Sequence, residues 1–135
     1  MNKQVQNWLD SASYDFETAE HMLQGGRYIY AIFFCHLALE KLLKASVQQA
    51  TDTLPPRTHN LRHLAGLSSL ELPPEIFEFL SKLSDVSIPT RYPEDLNKML
   101  EAYTRPVVGE YVEQTRKAFE WIRESLKPSP GSGQG

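Results

Sequence analysis

Residues 28–50, YIYAIFFCHLALEKLLKASVQQA, decide the fold. Ile29, Ala31, Ile32, Phe33, Phe34, Cys35, Leu37, Ala38, Leu39, Leu42, Leu43 and Val47 leave this stretch little polar surface. A helix that is apolar nearly all round needs neighbours on several sides, which puts it at the centre of a bundle. Part of the surplus also suits a subunit interface. The longest apolar run, Ile29 to Cys35, is too short to cross a bilayer, and His36 interrupts it, so no membrane segment is expected.

Upstream, Val5, Trp8, Leu9, Ala12, Phe16, Ala19 and Leu23 recur at spacings of three and four. That is the stripe of an amphipathic helix, and Gly25-Gly26 stops it. Downstream, Leu54-Pro55-Pro56-Arg57 breaks the chain. Thr58 is expected to cap a short helix carrying Leu61, Leu64, Ala65 and Leu67. Pro73-Pro74-Glu75 opens another, with Ile76, Phe77, Leu80 and Leu83 inward. Ser84 to Glu94 reads as a structured loop, followed by a short helix from Asp95 to Tyr103. Pro106 opens the last long helix, and Val108, Tyr111, Val112, Thr115, Phe119, Ile122 and Leu126 keep helical spacing. No stretch alternates like a strand. The expected architecture is all-α: an up-and-down bundle of three long helices and two or three short ones over residues 1–126, with a flexible tail at 127–135.

The 135 residues suit one domain, and 41% hydrophobic with 23% charged residues is ordinary globular composition. A net charge of -3 argues against a protein that coats nucleic acid, so any such contact must come from a local patch. The single cysteine, Cys35, excludes an intrachain disulfide and fits a reducing compartment. The N-terminus shows no signal-peptide pattern. A cytoplasmic location is therefore expected.

Polar residues with chemical potential are few. His36, Glu40 and Lys44 stand four apart and form one line along the apolar central helix. The line reads either as a solvated seam carrying a Glu40–Lys44 ion pair or as the wall of a cleft or symmetry contact. Cys35 and His36 diverge by about 100° and make no nucleophilic pair. His59 and His63 have the spacing of a two-histidine metal clamp on one helical face, but nothing nearby completes a ligand set, and no metal is expected. Arg57, His59, Arg62 and His63 read either as the solvated face of a helix, the default, or as a small basic patch able to meet a phosphate. In Ile88-Pro89-Thr90-Arg91-Tyr92-Pro93, two prolines stiffen the backbone around an arginine. Arg91 there either clamps phosphate or ties the segment to a buried carboxylate.

Taken in order, several of these pieces resemble the HEPN family, the higher eukaryotes and prokaryotes nucleotide-binding domain. They are Trp8-Leu9 with Ala12, Asp15 and Ala19; Gly26, Tyr28 and Ala31; Phe34-Cys35-His36-Leu37-Ala38-Leu39-Glu40-Lys41-Leu42-Leu43-Lys44-Ala45; Thr58-His59-Asn60-Leu61 with Leu64; and Thr90-Arg91-Tyr92-Pro93. The resemblance implies an up-and-down bundle that forms homodimers and works near nucleotides or RNA. It also implies one of two roles: partner of a minimal nucleotidyltransferase, often as a toxin–antitoxin pair, or metal-independent ribonuclease. Such ribonucleases carry an Arg and, after four to six intervening residues, a His, with two copies meeting across the dimer.

Counting from Arg91, the positions for that His hold Leu96, Asn97 and Lys98, and no histidine follows His63. Asn97 can hydrogen-bond a phosphate or ribose, but an amide cannot shuttle a proton near neutral pH. The expectation is a non-catalytic, cofactor-free dimeric module that binds a nucleotide or RNA phosphate, pairs with a nucleotidyltransferase, or both. Arg91, Tyr92 and His59 are its first candidate ligand residues, then His36, Glu40, Lys44 and Asn97. The alternatives are an atypical ribonuclease in which His36 or His59 replaces the lost histidine, and a helical assembly adaptor without a small ligand.

Overall fold

The computed structural model describes residues 2–126, and the expected tail at 127–135 lies outside the described residues. Among these described residues six helices follow one another: α1 (Lys3–Gln24), α2 (Tyr28–Thr51), α3 (Leu61–Leu67), α4 (Pro74–Arg91), α5 (Leu96–Ala102) and α6 (Arg105–Leu126). Among the described residues there is no strand, and no helix is long and apolar enough to cross a membrane.

The central position of α2 follows from its composition. It packs against α1, α3, α4 and α6, and Ile32, Cys35, Leu39, Leu42 and Leu43 are wholly buried. Each such leucine, cut to alanine, loses about 2–5 kcal/mol of transfer and cavity energy. The helix α1 turns back onto α2 through Gly25 and Gly26, the latter at φ +77°, where a side chain would be strained. Polar fasteners supplement the apolar seam: Lys41 pairs with Asp15 at 2.8 Å, and the Trp8 indole donates to Gln48 at 3.0 Å. From the other side α6 brings Val108, Val112, Thr115, Phe119 and Ile122 into the core, and Phe119 stacks on Phe16 with centroids 5.5 Å apart.

Phe77, expected inward, is 43% exposed, and two expectations about the elements themselves need correction. The segment expected as a loop from Ser84 to Glu94 is helical as far as Arg91, with Pro89 inside the helix, so the long helices number four and the short ones two. Proline cannot donate the usual helical bond, but the buried face continues through Leu83, Ser87 and Thr90 at spacings of four and three. Its two hydroxyls bury without penalty by turning back on the helix. Ser87 donates to the Ser84 carbonyl at 3.0 Å and Thr90 to the Val86 carbonyl at 2.7 Å. The helix stops at Tyr92, which Pro93 restrains from helical geometry.

The second correction concerns α3. Its cap is Asn60, whose side chain accepts from the His63 amide at 3.1 Å, whereas Thr58 accepts from the Asn60 amide at 3.2 Å. His59 therefore precedes the helix and shares no helical face with His63. At α5 the expected helix is present, capped by Asp95, which accepts from the Lys98 amide.

Candidate functional site

The polar line on α2 is not a solvated seam. His36, Glu40 and Lys44 are only 1%, 3% and 9% exposed. A charge taken out of water costs several kcal/mol unless it is paired, and Glu40 is the centre of the pairing. One carboxylate oxygen accepts from Lys44 Nζ at 3.1 Å, four residues along the same helix. The other meets His59 Nδ1 at 2.8 Å, with His36 Nδ1 at 3.8 Å from the same oxygen. Lys44 also lies over the Trp8 ring, 5.6 Å from its centroid.

His59 comes from the segment between α2 and α3, and its side chain is 70% exposed. An ionised carboxylate only accepts, so His59 Nδ1 carries the proton in this contact and the lone pair of a neutral ring falls on Nε2. His36 is different. Burial pushes its pKa down to about 4; Glu40 and a backbone hydrogen bond with His59 oppose the fall, and Arg91 and the His59 ring assist it. Near neutral pH it is an uncharged imidazole, and its Nδ1 has no hydrogen-bond partner among the described residues.

Arg91 ends α4. Its guanidinium lies over the Phe33 ring of α2 at 4.6 Å, and its buried Nε lacks a hydrogen-bond partner among the described residues. No carboxylate pairs with it among those residues, so the tie to a buried acid left open above is not what holds it. Together with His59, Asn60, Arg62, Asp85 and Tyr92 it lines a cleft of about 590 Å³. Arg62 is tied to Asp85 at 3.3 Å, an exposed pair of small energetic weight. A separate groove of about 520 Å³ between α4 and α6 is walled by Glu75, Glu78 and Glu110 against a single Lys82, a balance that disfavours anions.

The cleft thus gathers His59, Arg91 and Tyr92, with Tyr92 exposed at its rim. Glu40 reaches it through His59, and His36 lies behind, next to Glu40. Lys44 serves Glu40, while Asn97 is exposed on α5 and is not among the residues lining the cleft. Of the basic patch, only His59 and Arg62 line the cleft. Phe33 was missed as a site residue, because an aromatic inside an apolar run signals core rather than a platform for a cation. Cys35 is fully buried and its thiol is pushed up to about 12, first by burial, so it offers no thiolate. Among the described residues no group of three metal-ligating side chains gathers.

These features define a class: a six-helix bundle with a basic, aromatic-rimmed cleft where the α2–α3 segment meets the end of α4. The HEPN domain family model matches residues 5–125. The chain belongs to the HEPN family. Two solved structures share the fold. TT1696 from Thermus thermophilus superposes with a TM-score of 0.77 at 23% identity, covering 93% of this chain and 100% of that one. ST0689, described as an archaeal HEPN homologue, gives 0.72 at 25% identity over the same shares. No curated relative matches the chain.

Proposed function

We propose that this chain is a cytoplasmic, dimeric, non-catalytic module whose His59–Arg91 cleft binds the phosphate of a nucleotide or RNA, alone or in company with a minimal nucleotidyltransferase. The observation that carries this reading is the state of Arg91: a guanidinium seated over the Phe33 ring, lining a cleft, with no carboxylate paired to it among the described residues. Such a group is preorganised for an anion, because the ring contact positions it without spending its N–H donors. His59 lines the same cleft, and its Nε2 donates to a phosphate when the ring is doubly protonated. A thermal-shift screen of nucleotides against the native protein and Arg91→Ala tests it: stabilisation in the first and none in the second is expected. Equal shifts in both proteins, or none in either, remove Arg91 as the ligand residue.

One observation favours a second reading, an atypical metal-independent ribonuclease. A stand-in for the missing histidine is His59, which is exposed, held at Nδ1 by the buried Glu40, and lines the same cleft as Arg91. A carboxylate-oriented imidazole can take the 2′-hydroxyl proton as that oxygen attacks phosphorus, the guanidinium neutralises the phosphorane, and the P–O5′ bond breaks with the imidazolium returning the proton to the leaving 5′-oxygen. RNA cleavage in EDTA that disappears in both Arg91→Ala and His59→Ala supports it. Intact RNA after prolonged incubation with the native protein ends it and leaves the binding module.

A further inference from the structure

The groove between α4 and α6 has no part in the reading of Arg91, and its two walls repeat one pattern. On α4 it is lined by Glu75, Glu78, Phe79 and Lys82, the positions i, i+3, i+4 and i+7. On α6 the same spacing runs from Val107 through Glu110 and Tyr111 to Gln114. Each set is one face of its helix over two turns, about 10 Å long. The groove is open because α4 and α6 both pack on α2 and only marginally on each other. Its floor is apolar: the rings of Phe79 and Tyr111 lie 6.2 Å apart, and Val107 stays 40% exposed beside them. Its rims are acidic. The carboxylates of Glu75 and Glu78 have no partner among the described residues, and Glu110 accepts from the neutral amide of Gln114 at 3.0 Å. The single cation, Lys82, lies over the Tyr111 ring at 5.0 Å and forms no ion pair with any of the three.

These walls restrict the occupant. Two helices offer no open strand edge, so an added strand finds no backbone partners. A small polyamine would meet the carboxylates but leave the aromatic floor in water. An amphipathic helix answers both, with an apolar stripe on the floor and basic edges against the rims. The exposed apolar helix of this chain, α5, does not fit, since its one cation, Lys98, sits between Asp95 and Glu101. We propose that the groove seats an amphipathic helix of a partner protein, apolar along its buried stripe and carrying lysine or arginine along both edges. Glu75 and Glu78 open α4 and Arg91 closes it, about 20 Å along the axis. The partner therefore leaves the cleft open, and the proposal stands apart from the phosphate reading.

Fluorescence anisotropy of a labelled peptide titrated with the full chain tests it. The peptide has about 18 residues, enough to be helical, with leucine along one stripe and lysine on both edges. Native protein is expected to bind it about ten-fold or more tighter than a scrambled peptide of equal composition, which keeps the charge and loses the stripe. Excess spermine should not displace it. Glu78→Lys/Glu110→Lys, at two exposed positions, should weaken it about ten-fold or more by placing like charges together. Val107→Ser should weaken it with the charge unchanged, and Arg91→Ala should bind it as the native chain does. Equal affinity for both peptides, or displacement by spermine, leaves a site for oligocations and overturns the helix. Absence of binding, unchanged affinity in both groove variants, or loss in Arg91→Ala overturns the groove itself. If the glutamate variant runs as a monomer where the native chain runs as a dimer, a second copy covers this face and the proposal is wrong.

Discussion

Acid should unfold this protein through one residue more than any other. His36 is shut inside the bundle with a pKa near 4, driven down first by burial, against about 6.5 in an unfolded chain. Between those two values the unfolded chain holds the proton and the folded chain does not, so stability falls as pH falls. The contribution is fully present above about pH 7, declines from about 6.5, and is lost near 4. The difference in pKa corresponds to about 3 kcal/mol across that window, a large part of the roughly 5–15 kcal/mol that holds a domain together. Equilibrium urea unfolding of the native protein and of His36→Leu at half-unit steps from pH 8 to 4 isolates the effect, because every titratable group other than His36 is present in both. The native curve should fall below that of the variant by about 2–3 kcal/mol between pH 7 and 4.5, after normalisation at pH 8. Parallel pH profiles would falsify the claim that His36 is buried as the neutral base.

Three further outcomes follow from the same packing. Glu40→Leu strands Lys44 without its carboxylate and should cost about 3–5 kcal/mol, whereas Glu40→Leu/Lys44→Met should recover most of it; additive losses in urea unfolding would contradict the pairing. Pro89→Ala restores a helical amide at an exposed position and should raise stability by about 1–3 kcal/mol, read as a higher Tm. A lower Tm would mean that the proline-bearing turn is itself held by packing. Cys35 should resist a disulfide-exchange reagent in native buffer and react at once in denaturant, given full burial and a thiol near 12; rapid native labelling would place it at the surface.

Most of the fold was legible because three helices advertise themselves by spacing alone. The 28–50 stretch had to be central, and Val5 through Leu23 and Val108 through Leu126 had to lie against it. The end of α4 was illegible for a specific reason. Its buried face switches at Ser87 from leucine to hydroxyl side chains, and those are buried only because they donate back to carbonyls of their own helix. A hydropathy pattern stops at Leu83 while the helix runs on. At the site, spacing put His36, Glu40 and Lys44 in one line but could not say whether water or protein faced it. The deciding partner, His59, lies outside any helix, and only tertiary structure sets it on Glu40. Arg91 stood out between two prolines, yet its seat on Phe33 has no local signature, because the two are brought together only by the packing of α4 on α2.

The buried trio on α2 also bears on why the cleft exists at all. Breaking a buried ion pair is costly, but replacing it whole by apolar residues of similar volume is often neutral or stabilising. Glu40 and Lys44 therefore add little to the bundle that leucine and methionine could not supply. What an apolar pair cannot do is reach out to the segment before α3 and fix one nitrogen of an exposed imidazole. Lys44 hydrogen-bonds Glu40, Glu40 orients His59, and His59 lines the same cleft as an arginine that α4 delivers only because its helix continues past Pro89. Each of these features is a local departure from an ideal helical core, and all of them converge on one cleft. That convergence is the physical argument for a ligand there, since a bundle built for stability alone has no use for any of them.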